Sequence, residues 1–333
     1  MSSILSSVGN RVGEIVLNRP NALNALDQQM VDEMYRALVE MADDPAVETV
    51  LVTSGSDRAF CAGGDIRAIR DAALAGDSAS ITRYFSSEYR LDQLVANYPK
   101  PYVALIDGAA MGGGLGISVH GEIRVVTEKA LIAMPETAIG FFPDIGSTYF
   151  LPRLPAGVGR WLGLTGARIT GTQALEVGMA THSVASASVG ALADAIRSGM
   201  PLATALSTFD AAPAADPLPL RSVADYFGGA DPVPAVIGGL RGGDEWARET
   251  AGLMDKCSPT SLLVTAAMLE RGEASSLDEC FDRELHAAER ITATPDFAEG
   301  VRAVLVDKDR KPAFEPAAID DVDPAVVARI VGD

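Results

Sequence analysis

Two acidic residues, Glu136 and Asp144, stand in apolar surroundings downstream of three consecutive glycines at positions 112–114. Gly113 comes after an apolar run at 103–108 that is typical of a buried strand, and a short helix is predicted to follow it. The first N–H groups of a helix have no partner inside it, and glycine lets a ligand approach them closely. This pattern suits a negative oxygen, and nearby carboxylates suit acyl transfer on a polarised carbonyl.

A second glycine turn of the same kind lies earlier in the chain. Residues 59–66 read Ala-Phe-Cys-Ala-Gly-Gly-Asp-Ile, between a predicted strand at 49–53 and a predicted helix at 65–75. Gly64 is therefore predicted to present its N–H group in the same way as Gly113. Two such groups that converge on one oxygen would form an oxyanion hole. Whether they converge depends on the fold.

The elements around these residues predict an α/β fold, because strands and helices alternate with crossover connections. A strand is predicted at 11–17, and Asp27 is a plausible N-cap of the helix that follows. That helix has an apolar face of Met30, Met34, Leu38 and Met41. A longer helix is predicted at 81–96, with Glu88 near its middle.

Beyond a linker-like stretch at 211–219, the chain is predicted to be mostly helical. The predicted helices cover 244–256, 261–271, 277–291 and 297–308. We therefore predict a core at 1–210 that contains the candidate catalytic residues, and a mostly helical C-terminal region at 211–333.

The composition excludes several classes of function. Of the 333 residues, 48% are hydrophobic and 22% are charged, which is an ordinary globular balance. The formal net charge of −18 opposes binding to nucleic acid or to an anionic membrane. Three scattered cysteines form neither a disulfide framework nor a metal site. With no signal peptide pattern and no long apolar run, we expect a protein of the cytoplasm.

The segments at 59–66 and 111–114 resemble the crotonase, or enoyl-CoA hydratase/isomerase, superfamily. The resemblance implies a spiral core of ββα units, a helical C-terminal region and acyl-CoA thioester substrates. Coenzyme A would then be part of the substrate, and no separate cofactor is expected. Further likeness at 102–154, 258–262 and 296–310 points to the 3-hydroxyisobutyryl-CoA hydrolases of valine catabolism. The superfamily's habit also suggests a homo-oligomer, a trimer or a multiple of one.

The resemblance implies a role for each matching position. Gly64 and Gly113 would donate the two N–H groups of the oxyanion hole, and Glu136 and Asp144 would be the catalytic carboxylates. Glu88 would contact the substrate. The residues expected along the CoA are Asn21, Leu23, Ala25, Ala62, Asp65 and Ile66.

Glu136 has two possible chemical roles, and the sequence leaves both open. It would act as general base on water, or it would attack the thioester itself to give a mixed anhydride. Its apolar neighbours favour a raised pKa by desolvation, which suits a base that works near neutral pH. Asp144 would hold the water or the 3-hydroxyl of the substrate.

One departure from the hydratase pattern is informative. Hydratases of the superfamily have a catalytic Glu two residues after the glycine triplet, where this chain has Gly116. Because addition of water across a double bond normally uses two carboxylates and one of them is missing here, the sequence argues against a hydratase. The alternatives are a hydratase or isomerase that uses Glu136 alone, and a noncatalytic CoA-binding member. An RNA-binding member would need a basic surface.

Each candidate also has an ordinary structural explanation. The glycines at 112–114 would only let a helix pack closely, and Glu136 would form a salt bridge at the surface. Asp144 would be a helix N-cap, and Glu88 would lie on a solvated helix face. Cys61 is interpreted as a packing residue rather than a nucleophile. The histidines are interpreted as structural or surface residues: His120, His182 and His286.

Overall fold

The computed structural model describes residues 2–212 and 216–332, in which strands and helices alternate as predicted. The strands are β1 (Ile4–Gly9), β2 (Val12–Leu17), β3 (Thr49–Ser54), β4 (Ala59–Cys61), β5 (Tyr102–Ile106), β6 (Ala109–Met111), β7 (Ile123–Val126), β8 (Leu131–Ala133), β9 (Ile169–Thr170) and β10 (His182–Ser183). They form a six-stranded sheet in the order β1-β2-β3-β5-β7-β10 and a four-stranded sheet in the order β4-β6-β8-β9.

The helices of the first two thirds of the chain are α1 (Gln28–Asp43), α2 (Ile66–Leu74), α3 (Ser78–Ala96), α4 (Gly113–Val119), α5 (Ser147–Phe150), α6 (Val158–Thr165), α7 (Gly171–Glu176), α8 (Val189–Arg197) and α9 (Leu202–Phe209). The later helices are α10 (Leu220–Phe227), α11 (Val233–Arg241), α12 (Glu245–Met254), α13 (Pro259–Gly272), α14 (Leu277–Ile291), α15 (Pro295–Val301) and α16 (Pro324–Val331). The α/β fold class predicted from the sequence is therefore confirmed.

The larger sheet is parallel apart from the β1–β2 hairpin. Parallel sheets are usually covered on both faces, and all five residues of β5 are accordingly buried. α1 is amphipathic, and its predicted apolar face is buried. Asp27 accepts a hydrogen bond from the Met30 amide, so the predicted N-cap is confirmed.

Two predicted elements differ from the structure in extent. The sequence at 180–184 also predicts a strand, which the structure reduces to the two residues of β10, although Thr181 and Val184 still donate to carbonyls of Arg124 and Val126. The helix expected at 297–308 begins at Pro295, where a missing N–H group is harmless, and continues after Val301 as a π-helix to Val306. No described helix is long and apolar enough to cross a membrane.

Contacts divide the chain into two compact units, each made of several segments. The first unit comprises residues 1–64, 87–132 and 169–218. The second comprises 65–86, 133–168 and 219–333. The sequence analysis divides the chain at one point, after residue 210, and this domain boundary stays a prediction. Within the predicted linker at 211–219, residues 213–215 lie outside the described residues.

Candidate active site

The two glycine turns are neighbours within the first unit. β4 pairs with β6 in parallel, so the turns that follow these strands leave the sheet at the same edge. Gly63 has a φ of +100° and Gly112 a φ of +47°, which are conformations that glycine adopts readily. A Cβ built on Gly113 would lie 3.2 Å from the amide nitrogen of Gly64. The amide nitrogens of these two residues are therefore at most about 6 Å apart.

Glu88 lies against the same turn. It is only 2% exposed, and a Cβ on Gly113 would collide with its Oε1 atom. The interpretation of Glu88 as part of a solvated helix face is therefore wrong. The structure brings Gly64, Gly113 and Glu88 together, whereas their roles toward a substrate stay predictions.

Asp92 is a buried carboxylate that the sequence analysis missed. It lies one helical turn after Glu88 on α3 and is 0% exposed. A Cβ on Gly116 would lie 2.5 Å from its Oδ2 atom. The space for a side chain at position 116 is thus occupied by the Asp92 carboxylate. This explains structurally why the chain departs from the hydratase pattern at that position.

Cys61 is a packing residue, as predicted. Its thiol is buried and contacts the carbonyl oxygen of Asn24. Burial raises the pKa of Cys61 to about 12, and the negative charges of Glu88 and Asp92 add to the shift. A thiol with so high a pKa is a poor nucleophile.

The loop predicted to bind CoA is fixed by a buried asparagine. Asn24 donates side-chain hydrogen bonds to the Ser54 hydroxyl at 2.8 Å and to the Phe60 carbonyl at 3.0 Å. The Ala62 amide donates to the Leu23 carbonyl, which holds the loop along the first glycine turn. Leu23, Ala25 and Ala62 are half-buried and Asn21 is exposed, so all four can be reached by a ligand.

Asp65 and Ile66 belong to the second unit, at the start of α2. Both are half-buried. Arg70 of the same helix donates to the Ala298 carbonyl at 2.9 Å and so ties α2 to α15. A contact of Asp65 and Ile66 with CoA stays a prediction.

Glu136 is buried in the second unit, at 7% exposure, so the salt bridge at the surface is the wrong interpretation. It begins a 3-10 turn at Glu136–Ile139, which Gly140 ends with a φ of +70°. A Cβ on Gly140 would collide with the backbone of Asp296, and a Cβ on Gly300 with the backbone of Ile139. Two glycines therefore let α15 pack on this turn, backbone against backbone.

Ser258 connects the Glu136 turn to two C-terminal segments. Its amide donates to the Thr137 carbonyl at 3.0 Å, and its hydroxyl donates to the Asp296 carboxylate at 2.5 Å. Its hydroxyl also accepts the Ser261 amide and thereby caps α13. The sequence segments at 258–262 and 296–310 thus meet at the turn that begins with Glu136.

Aromatic rings surround the chain between Glu136 and Asp144. Phe141 stacks on Phe142 with ring centroids 4.8 Å apart and on Phe85 at 5.5 Å. Phe297 lies 5.8 Å from Phe141. The apolar surroundings predicted for the two carboxylates are therefore present.

Asp144 is 5% exposed and precedes an unusual turn. Ile145 has a φ of +58° and Gly146 a φ of +74°, so two consecutive residues are left-handed. α5 begins at Ser147 with Gly146 as its N-cap residue and has no side-chain cap hydrogen bond. The interpretation of Asp144 as a helix N-cap is therefore wrong.

Glu284 of α14 holds this turn and was also missed by the sequence analysis. Its carboxylate accepts the Gly146 amide at 2.6 Å, the Thr148 amide at 3.0 Å and the Thr148 hydroxyl at 2.6 Å. Burial raises the pKa of Glu284 to about 8, and the charge of Asp144 adds to the shift. The sequence contains one signal of this burial, because Glu284 falls on the apolar stripe of its helix with Phe281 and Ala288.

The chain is similar in sequence to other proteins over nearly its whole length. A family model described as enoyl-CoA hydratase/isomerase matches residues 12–331. The 3-hydroxyisobutyryl-CoA hydrolase, mitochondrial, of Gallus gallus is 42% identical, covering 93% of this chain and 83% of that protein. The protein of the same name from Homo sapiens is 40% identical with the same coverage.

Two solved structures are similar in both sequence and fold. An enoyl-CoA hydratase from Rhodobacter sphaeroides 2.4.1 is 37% identical with a TM-score of 0.92, covering 99% of this chain and 97% of that one. A carnitinyl-CoA dehydratase from Mycobacterium thermoresistibile is 36% identical with a TM-score of 0.94, covering 100% and 97%. The predicted fold is thus found in solved relatives.

Proposed function

The chain belongs to the enoyl-CoA hydratase/isomerase family, and from this premise we propose that it hydrolyses short β-hydroxyacyl-CoA thioesters. The proposed substrate is 3-hydroxyisobutyryl-CoA, which gives 3-hydroxyisobutyrate and CoA, a step of valine catabolism. Relatives about 40% identical over 93% of the chain are named for this reaction. The structural observation that supports the proposal most is the close approach of the Gly64 and Gly113 amides.

The proposed chemistry begins with binding of the thioester oxygen by the amides of Gly64 and Gly113. These donors stabilise the negative charge that develops when the carbonyl carbon becomes tetrahedral. In one route Glu136 takes a proton from water, and the resulting hydroxide adds to the carbonyl carbon. The carbon–sulfur bond then breaks, and the CoA thiolate leaves and takes up the proton.

In the other route a carboxylate oxygen of Glu136 attacks the carbonyl carbon and displaces the CoA thiolate. Water then hydrolyses the mixed anhydride and restores Glu136. In both routes we assign to Asp144 the orientation of the water or of the substrate's 3-hydroxyl. Glu88, beside Gly113, is assigned a contact with the substrate.

The remaining assignments follow from the same proposal. Coenzyme A is bound as part of the substrate, with no separate cofactor or metal ion, along the six residues Asn21, Leu23, Ala25, Ala62, Asp65 and Ile66. A homo-oligomer, a trimer or a multiple of one, is proposed from the family habit. The relatives are named as mitochondrial, so the predicted cytoplasmic location of this chain stays a proposal.

The second candidate function is hydration or isomerisation of an enoyl-CoA. It is favoured by the names of the two similar solved structures. The glycine at position 116 and the position of Asp92 oppose it, because no side chain from that position can supply the second carboxylate. A noncatalytic CoA-binding protein would need none of the buried carboxylates.

A thiol-release assay separates these candidates. Purified protein is mixed with 3-hydroxyisobutyryl-CoA and a thiol reagent, and enoyl absorbance is followed in parallel. The background reaction of the thiol reagent with the protein itself is expected to be low, because all three cysteines are buried. Release of free CoA supports hydrolysis, a change in enoyl absorbance without thiol supports hydration, and neither signal supports a noncatalytic binder.

The variant Glu136→Gln tests the assigned residue. It should lower kcat by about 10²–10⁴-fold while CoA binding, measured by calorimetry, stays nearly unchanged. Activity like that of the wild type would remove Glu136 from the mechanism.

A further inference from the structure

The turn after Asp144 needs an external restraint. Ile145 is β-branched and buried, and its φ of +58° is a conformation that such residues avoid. Residues in unfavourable backbone conformations persist only where the surrounding structure fixes them. The restraint must act on the backbone close to residue 145.

Glu284 meets this requirement. It is 0% exposed, and both of its carboxylate oxygens accept hydrogen bonds from the turn. One oxygen binds the amide of Gly146, which is the residue after Ile145, and the other binds the amide and hydroxyl of Thr148. An apolar side chain would fill this space without the cost of burying a carboxyl group, but it could not accept these donors.

We infer that Glu284 is a positioning residue for the proposed hydrolysis. Glu284 holds the turn at 144–146, so that the Asp144 carboxylate keeps one orientation. The inference rests on the proposed function, because it concerns the role assigned to Asp144. Glu284 itself is completely buried and acts only through the turn. Titratable groups that interact with Glu284 are Asp144 and Cys280, and Cys280 interacts in turn with Arg153 and Arg283.

The main test is the variant Glu284→Gln, which keeps the size of the side chain but replaces one acceptor oxygen by a donor. The new NH₂ group cannot accept the backbone hydrogen bond that the replaced carboxylate oxygen accepted. The turn should therefore lose a restraint. We expect kcat to fall about 10²-fold, as for a small misplacement of a reacting group. KM should stay within about threefold, since no contact with CoA is removed.

Glu289→Gln is the matched control on the same helix. Glu289 accepts the Thr82 hydroxyl at 2.5 Å, so the control also weakens a carboxylate–threonine contact of α14. Its kcat should stay within about twofold of the wild type. An equal loss in both variants, or no loss in Glu284→Gln, would overturn the inference.

A second pair of variants decides the question if Glu284→Gln does not fold. Thr148→Val removes the hydroxyl donor and nearly keeps the volume, whereas Thr148→Ser keeps the donor. We expect a loss in kcat of about tenfold for Val and near wild-type kcat for Ser. Equal kcat values in the two variants would contradict the inference.

The inference can fail separately from the proposed function. If wild-type protein releases no CoA, the proposed hydrolysis is wrong. Crystal structures of the wild type and Glu284→Gln then decide the positioning role. A changed turn at 144–146 supports it, and an unchanged Asp144 side chain overturns it.

Discussion

The glycine turns of the first unit and the carboxylate turns of the second unit are held in different ways. The turns at Gly64 and Gly113 follow two paired strands and need little more than glycine and the strand register. The turns at Glu136 and Asp144 are held by distant helices, since Glu284 and Gly146 are 138 residues apart. The backbone donors therefore depend on one pair of strands, whereas the carboxylates Glu136 and Asp144 depend on contacts from the end of the chain.

The largest effect is expected for Gly116→Glu, which tests whether a side chain can be added beside a glycine turn. The new carboxylate would collide with that of Asp92 and bury a second like charge. We expect a loss of about 3–5 kcal/mol in the free energy of unfolding, measured by urea denaturation. A stable variant that hydrates enoyl-CoA would contradict this prediction. It would also contradict the structural explanation for glycine, rather than glutamate, at position 116.

The next effect concerns the backbone donors. In Gly113→Ala the added methyl would collide with Glu88 and crowd the Gly64 amide. This collision should move an amide donor away from the thioester oxygen and so lower kcat by about 10²–10³-fold, measured by thiol release. Gly190→Ala is the control, since nothing lies within 4 Å of its Cβ position. Equal kinetics in the two variants would remove Gly113 from the proposed oxyanion hole.

A smaller effect is expected at the turn that begins with Glu136, on which α15 packs. Gly140→Ala places a methyl against the backbone of Asp296 at a φ of +70°. The free energy of unfolding should fall by about 1–3 kcal/mol, and kcat should fall because the turn with Glu136 shifts. If only stability changes, the packing of α15 does not position Glu136.

The last expected effect, on stability alone, is a pH dependence from Glu284. Its pKa is raised from 4.5 to about 8 in the folded protein, so the folded state binds this proton more tightly than the unfolded chain. Its contribution to stability is therefore complete below about pH 4.5 and is lost as the pH rises toward 8.

Compared with Glu284→Gln, the wild type should lose about 3 kcal/mol of unfolding free energy between pH 5.5 and 8.5, because one pKa unit corresponds to about 1.4 kcal/mol. Thermal unfolding of both proteins at the two pH values measures this difference. A constant difference in unfolding free energy would show that Glu284 does not titrate in this range.

Local signals in the sequence were sufficient for much of the fold. The N-cap at Asp27 and the apolar face of α1 depend on residues three or four apart, and both were predicted. The glycines and the two carboxylates were also found, because their types and apolar neighbours are visible in short segments. Their roles in catalysis stay predictions.

The supporting residues could not be predicted in the same way. Asn24, Asp92 and Glu284 resemble ordinary polar residues in the sequence, and their burial results from partners on other elements. A polar residue on an apolar helical stripe was the one available signal for Glu284. Which turn such a residue holds depends on the three-dimensional structure.

The burial of the three cysteines has a consequence for the product of the proposed reaction. Each turnover would release a free thiol, and disulfide exchange needs an accessible thiolate on the partner. Burial raises the pKa of Cys61 to about 12, of Cys257 to about 11 and also that of Cys280. The folded chain is therefore expected to resist forming mixed disulfides with CoA, even where oxidised CoA accumulates.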